Sequence, residues 1–307
     1  MLGANRILFL LALIVSVNAF SLGAPNVGPA FEIHGHRGAR AARPENTLAE
    51  FQYALIAGVT ALEMDLGISK DNVVVVNHDL TVDTDLCVST NKSLRSLQKP
   101  LVNDLTLSQI KTYDCGSIRN SQFDSQVLVP GSKIPTLIEV LRFLKASPLP
   151  QAKLVKINIE TKIDSDDPRA KVGPEKFIDL VAQTILSEGF NPGRVILQSF
   201  DFRTIVYAKK KWPQLKTSAL IDSLQDKNQV SKEVADIFSR TKADYISPDG
   251  SICSKELVNT AHSLGKKVLV WTINKNFHSR HFIKMGVDGI ITDDPAQLIQ
   301  YLLSARF

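Results

Sequence analysis

The chain has 307 residues, 44% of them hydrophobic and 22% charged, with a formal net charge of +5. That length admits two average domains or one barrel of about 250 residues, and the composition supplies an ordinary core and excludes a disordered chain. Lysines and arginines are spread along the sequence with no basic run interleaved with aromatics, which reads as a solvated surface and argues against a nucleic-acid partner.

The first element is apolar. A short positive segment ends at Arg6, Ile7 to Val17 form an apolar run, and Val17-Asn18-Ala19 offers small residues for cleavage. The run is well short of the roughly 20 residues of a spanning helix, so residues 1–19 read as a secretory signal peptide. A second cut after Ala24 fits as well, and an uncleaved anchor or a buried strand is the alternative. The expectation is an exported protein, secreted or periplasmic, without stable membrane insertion.

Short β-branched runs then alternate with amphipathic stretches. Strands are predicted at 31–35, 61–68 with 73–79 beside it, 153–160, 194–200, 216–221, 243–247, 267–274 and 288–292. Helices are predicted at 47–57, 136–146, 175–187, 202–211, 232–239, 255–263, 277–285 and 296–304. With 61–79 taken as one hairpin-like β region, each β unit leads to a helix, and this alternation predicts a closed (β/α)8 TIM barrel over 30–307. No Gly-rich dinucleotide fingerprint follows the first strand and no G-x-x-x-x-G-K-[ST] loop occurs, which weakens nucleotide-binding alternatives.

One segment interrupts the alternation. Residues 80–133, between the second strand and the second helix, are rich in Ser, Asn, Asp and Thr and read as an inserted region over one mouth of the barrel. Cys87 and Cys115 lie within it, either as a disulfide that leaves Cys253 free or as two of three unpaired thiols. The three have no metal-ligand spacing, and Asn91-Lys92-Ser93 is a glycosylation acceptor only in a host with that pathway.

Reactive residues collect at the predicted carboxyl ends of the strands, where such barrels build their sites. Glu63 and Asp65 are i and i+2 on an extended chain and point to one side of the sheet. Two buried carboxylates cannot both stay charged and unpaired, so a divalent cation is expected, with Glu160 on the next strand as a third ligand. An all-oxygen set favours Mg²⁺ or Ca²⁺ over zinc; ion pairs to Arg37 and Lys162 are the structural alternative. His36 and His78 at strand ends suit general acid and base work near neutral pH, and Arg37 and Lys162 add positive charge suited to a phosphate.

These residues carry a resemblance. The chain resembles the glycerophosphodiester phosphodiesterase family through HRG and PENTLAEF within 36–51, ALEMD at 61–65, SKDNVVVVNHD at 69–79, IPTLIEVL at 134–141, NIETK at 158–162, ILQSFD at 196–201, VLVWTIN at 268–274 and GVDGIITDDP at 286–295. The resemblance implies a (β/α)8 barrel with an insertion after the second strand. It implies His36 and His78 as catalytic acid and base, Glu63, Asp65 and Glu160 as ligands of a Ca²⁺ or Mg²⁺ ion, Arg37 and Lys162 as phosphate partners, and Phe200 and Trp271 as pocket-lining aromatics. Packing in the core is the alternative for those aromatics.

Asn46 reads as a loop-fixing residue, capping the helix together with Thr47; His34, Arg40 and Arg43 have no assignment, a structural role being expected for His34. Two departures from the family pattern stand out. Ser69-Lys70-Asp71-Asn72 replaces a turn that commonly ends in Gly, a change Asn tolerates. The basic residue common after the second histidine motif is replaced by Leu80-Thr81-Val82-Asp83-Thr84-Asp85, which bears on the headgroup accepted.

The expected activity is hydrolysis of a small-molecule glycerophosphodiester to sn-glycerol 3-phosphate and an alcohol. A lysophospholipase D-like action on lipid phosphodiesters, and a barrel that binds without turnover, are the competing readings. Oligomeric state has no sequence signature here.

Overall fold

The computed structural model describes residues 31–163 and 171–304; the leader expected at 1–19 lies outside the described residues. Eight strands form the barrel: β1 (Glu32–Gly35), β2 (Ala61–Ile68), β6 (Lys156–Thr161), β7 (Val195–Ser199), β8 (Lys216–Ile221), β9 (Tyr245–Pro248), β10 (Lys267–Val270) and β11 (Gly289–Thr292). All neighbours in the ring are parallel, and β1 closes it by pairing with both β2 and β11. Helices α1 (Leu48–Ala57), α4 (Leu137–Ala146), α6 (Pro174–Ser187), α7 (Phe202–Lys211), α8 (Val230–Thr241), α9 (Lys255–Ser263), α10 (Asn276–Met285) and α11 (Pro295–Ser304) follow the strands in turn. The (β/α)8 expectation is thereby met.

Alternation along the strands decides what faces where. Leu62, Met64 and Leu66 of β2, with Ile157 and Ile159 of β6, pack outward against the helices in the main core. Their neighbours in sequence face the barrel axis, where Ile196, Tyr245 and Leu269 form a small apolar plug. Helix starts follow local chemistry: Thr136 and Glu139 form a reciprocal capping box at α4, and Thr47 accepts the Glu50 N–H at α1.

Several predicted strands are shorter than expected, most of all 73–79, which pairs only over Val74–Val76 and leaves His78 and Asp79 in the loop beyond it. Lys153 and Leu154 belong to α5 (Pro150–Leu154), which Pro150 at its first position launches. The run 267–274 pairs as a strand only to Val270, after which Trp271 makes an isolated bridge to Asp249.

Strand β3 (Val74–Val76) pairs antiparallel with β2 and stands outside the ring. The following segment contains β4 (Val88–Ser89), α2 (Lys92–Arg95), α3 (Leu107–Ile110) and β5 (Tyr113–Asp114). It has a core of its own around Val82, Leu94, Val102, Ile110 and Tyr113, and Cys87 and Cys115 are joined by a disulfide within it. It packs on the loop after β1: Gln126 Nε2 donates to the Arg40 and Arg43 carbonyls at 2.8 and 3.0 Å, and the Val127 N–H to the Ala42 carbonyl at 3.0 Å. This segment therefore covers the carboxyl-end mouth.

Candidate active site

The loop from Gly35 to Thr47 is shaped by backbone restrictions. A Cβ on Gly35 would lie 1.8 Å from the Gly38 carbonyl oxygen, and one on Gly38, at φ +98°, would meet the Glu50 side chain at 2.7 Å. Only glycine fits either place. Arg37 and Asn46 adopt positive φ of 50° and 57°, which costs about 1 kcal/mol or more per residue. Each is held by the site it serves. The Arg37 N–H donates to Glu63 Oε2 at 2.7 Å, the Asn46 N–H to the Arg37 carbonyl at 2.9 Å, and Asn46 Nδ2 to Asp65 Oδ2 at 2.9 Å.

Asn46 therefore does more than the capping role expected of it. Thr47 alone caps α1, and the Asn46 side chain reaches a buried carboxylate on another strand.

Glu63, Asp65 and Glu160 are all buried, and one carboxylate oxygen from each lies within 4.8 Å of the others. The register causes this: Glu63 and Asp65 share the inward face of β2, and Asp65 pairs with Glu160 across β2 and β6. Lys162 Nζ lies 2.6 Å from Glu160 Oε1 and 3.2 Å from Asp65 Oδ1, while Arg37 Nε lies 3.4 Å from Asp65 Oδ2. Burial, reinforced by the Asp65 charge, pushes the Glu63 carboxyl well above the usual range. Burial also raises Glu160. At Asp65 burial works the same way, but the charges of Lys162, His78 and Arg37 overcome it and hold that carboxyl down.

Two cations among three carboxylates leave the cluster short of positive charge. Asp65 Oδ1 is buried and, despite the nearby ammonium, accepts no well-directed hydrogen bond. A buried acceptor without a partner, in an all-oxygen set of this spacing, fits a hard divalent cation.

His36 Nδ1 lies 2.6 Å from Asp293 Oδ1, and His78 Nδ1 lies 2.6 Å from Asp79 Oδ1. Phe200 and Trp271 meet edge to face with ring centres 5.6 Å apart, and the indole N–H donates to the Ser247 carbonyl at 2.8 Å. A chamber of about 300 Å³ is lined by His36, Arg37, Glu63, His78, Glu160, Lys162, Phe200 and Trp271. The catalytic, ligand, phosphate-partner and aromatic candidates other than Asp65 thus face one space, and Asp65 is held by Lys162 and Asn46. Beyond His78 a second cavity of about 550 Å³ opens beneath the inserted segment, bounded by Arg40, Glu45, Asp79, Asp83, Asn120 and Gln122.

His34 points down the barrel axis, away from the mouth. It is fully buried, 3.1 Å from Glu32 Oε2 through Nε2 and 3.2 Å from Asn158 Nδ2 through Nδ1. The residues that sequence reasoning missed are Asp293, Asn274, Gln198 and, in its contact with Asp65, Asn46. Asp293 had a readable signal: Gly289 and Ile291 alternate with it on β11, so it extends the inward row past the strand end.

An acidic well flanked by cations and imidazoles at the catalytic mouth of a (β/α)8 barrel defines a hydrolase of phosphate esters. Comparison supplies the family. Residues 36–297 match the model of the glycerophosphoryl diester phosphodiesterase family, and the chain belongs to that family. A glycerophosphodiester phosphodiesterase from Caldanaerobacter subterraneus subsp. tengcongensis is 33% identical over 267 residues, 86% of this chain and 94% of the relative. A Silicibacter pomeroyi crystal structure bearing the family name superposes with a TM-score of 0.79 at 28% identity, covering 89% and 93% of the two chains. A phosphodiesterase from Oleispira antarctica, solved with the product sn-glycerol-3-phosphate, shares the fold with a TM-score of 0.70 at 21% identity, covering 89% and 97%.

Proposed function

We propose that this chain is an exported, cation-dependent phosphodiesterase that hydrolyses water-soluble glycerophosphodiesters to sn-glycerol 3-phosphate and an alcohol. The observation that carries the reading is the single 300 Å³ chamber in which both histidines, the acidic residues Glu63 and Glu160, and the cations Arg37 and Lys162 converge. The Oleispira antarctica enzyme, with its bound product, supports the same product here.

Arg37 and Lys162 receive the phosphate and offset its charge as the pentacoordinate state develops. Ca²⁺ or Mg²⁺ bound by Glu63, Asp65 and Glu160 would supply Lewis-acid polarisation of a phosphate oxygen. Of His36 and His78, one removes a proton from the attacking oxygen, that of water or of the substrate's own glycerol hydroxyl with water then opening the cyclic phosphate, and the other delivers a proton to the departing alkoxide. The Phe200 and Trp271 edge gives the carbon face of the glycerol an apolar wall.

The 550 Å³ cavity favours a soluble diester over a lysolipid. Leu86, Ile118 and Ile134 share its walls with Arg40, Glu45, Asp79, Asp83 and Asp85, and it is these charged groups that disfavour an acyl chain, which would strip their water and return no hydrogen bond. Export rests on the signal-peptide pattern of residues 1–19 and on the Cys87–Cys115 disulfide, which persists in oxidising compartments.

The test measures glycerol 3-phosphate released from glycerophosphocholine, glycerophosphoethanolamine and lysophosphatidylcholine, with and without chelator, by wild type and His36→Ala. The expected result is release from the two soluble diesters, abolished by chelator and lowered roughly 10²–10⁴-fold by the substitution. Activity indifferent to both would overturn the mechanism, and cleavage of the lysolipid alone would transfer the assignment to a lysophospholipase D. Amino-terminal sequencing of the protein recovered outside the cytoplasm, beginning near Phe20, checks export.

A further inference from the structure

The two histidines of the site are built differently. His78 leans on Asp79, a carboxylate about half exposed, whose oxygens meet no other side chain among the described residues. His36 leans on Asp293, whose side chain is 3% exposed. Arg40 grips that carboxylate with Nε on Oδ1 at 2.6 Å and Nη2 on Oδ2 at 3.3 Å. Asn274 Nδ2 adds a bond to Oδ2 at 2.7 Å.

The orientation of Asn274 is itself settled. Its Oδ1 accepts the Asp293 N–H at 2.8 Å and the Thr292 hydroxyl at 3.1 Å, so its amide nitrogen must face the carboxylate. Every group around the Asp293 carboxylate other than the imidazole is then a donor, and an ionised carboxylate can only accept. Burial would raise the Asp293 carboxyl, but the bonds and charges of His36 and Arg40 outweigh it and hold it ionised.

We propose that Asp293, braced by Arg40 and Asn274, is a positioning residue that keeps the His36 proton on Nδ1 and presents Nε2 to the reacting phosphodiester. The proposal rests on the function assigned above. Asp293 touches no substrate; it acts through the imidazole, fixing ring and tautomer before substrate arrives. Arg40 also links this pair to the inserted segment, because its carbonyl accepts Gln126 Nε2 and its guanidinium lies over the Phe123 ring at 5.4 Å. The role of Arg40, unassigned from the sequence, follows from these contacts.

An amide at position 293 cannot replace the carboxylate. With its oxygen toward His36 and Arg40, its NH₂ group faces the donor nitrogen of Asn274; turned the other way, it places NH₂ against His36 and invites the opposite tautomer.

The test is ¹⁵N NMR of histidine-labelled wild type and Asp293→Asn, with steady-state kinetics on the same samples and on Asp79→Asn. Neutral wild-type His36 should show its proton on Nδ1, and Asp293→Asn should move it toward Nε2. Asp293→Asn should lower kcat roughly 10²-fold or more with KM changed less than about threefold. Asp79→Asn, on the exposed partner, should cost less than about tenfold.

A wild-type His36 protonated on Nε2 overturns the proposal even if the variant does not fold. So does an unchanged tautomer in Asp293→Asn, or an equal loss in both variants. The tautomer is read without turnover, so a protein that fails to cleave glycerophosphodiesters while showing Nδ1–H leaves the positioning intact and discards only the assigned reaction.

Discussion

Gln198 donates from Nε2 to Oε1 of Glu63 at 3.0 Å, and its own Oε1 accepts Asn158 Nδ2 at 2.9 Å. Asn158 in turn approaches His34, and His34 approaches Glu32, so a buried polar row runs down the barrel axis from the acidic well. The row aims the Glu63 carboxylate, because Gln198 cannot turn without losing both bonds. Gln198→Ala should therefore weaken divalent-cation affinity about 10–100-fold, read by calorimetric titration of the metal-free protein with Ca²⁺ and with Mg²⁺. Unchanged affinity for both would remove Glu63 from the ligand set or Gln198 from its support.

Asn46 combines a left-handed backbone with a bond to a buried, ionised carboxylate. Alanine at this site meets the left-handed penalty of about 1–2 kcal/mol and loses a charge-assisted bond worth roughly 1.5–3 kcal/mol. Asn46→Ala should unfold at lower urea concentration, with about 2–4 kcal/mol lost. Asn46→Gly relieves the backbone and should recover part of that loss. A glycine variant no more stable than the alanine variant would show that strain at position 46 is not a contributor.

Glu32 reports on pH. Burial would raise its carboxyl, but the hydrogen bonds and charges of His34 and Lys156 dominate and hold it at about 2. Because the folded pKa lies below the unfolded one, ionised Glu32 stabilises the fold above about pH 4.5, and the contribution is lost as pH falls through about 2. Glu32→Gln should be less stable than wild type at pH 7 by an amount on the order of a few kcal/mol. The gap should close between about pH 4.5 and pH 2. Parallel stability curves for the two proteins across that range would contradict the ion pairing.

Cys253 is buried, and burial pushes its thiol up to about 12, so it is almost wholly protonated at neutral pH and poorly nucleophilic. Native protein should consume no thiol reagent within minutes. Unfolded protein should consume one equivalent without reductant and three after reduction, as the Cys87–Cys115 bond requires. Two or more equivalents from unfolded, unreduced protein would mean that the disulfide does not form.

Period and parity along single strands were legible in the sequence. They sufficed for the βα alternation, for the shared face of Glu63 and Asp65, for the start of α4 at the Thr136 and Glu139 capping box, and for the clustering of His36, His78 and Glu160 at strand ends. Each of these depends on interactions over a few residues, or on a fold rule that eight repeats invoke. Which distant side chain meets which was decided by tertiary structure alone. His36 and Asp293 are 257 residues apart, and Glu63 and Gln198 are 135 apart. The first pair meets because β11 closes on β1 in the register His34 to Ile291, the second because β7 lies beside β6 in the register Glu160 to Gln198. Register and closure are set by the packing of every strand and helix at once, so no local pattern encodes them.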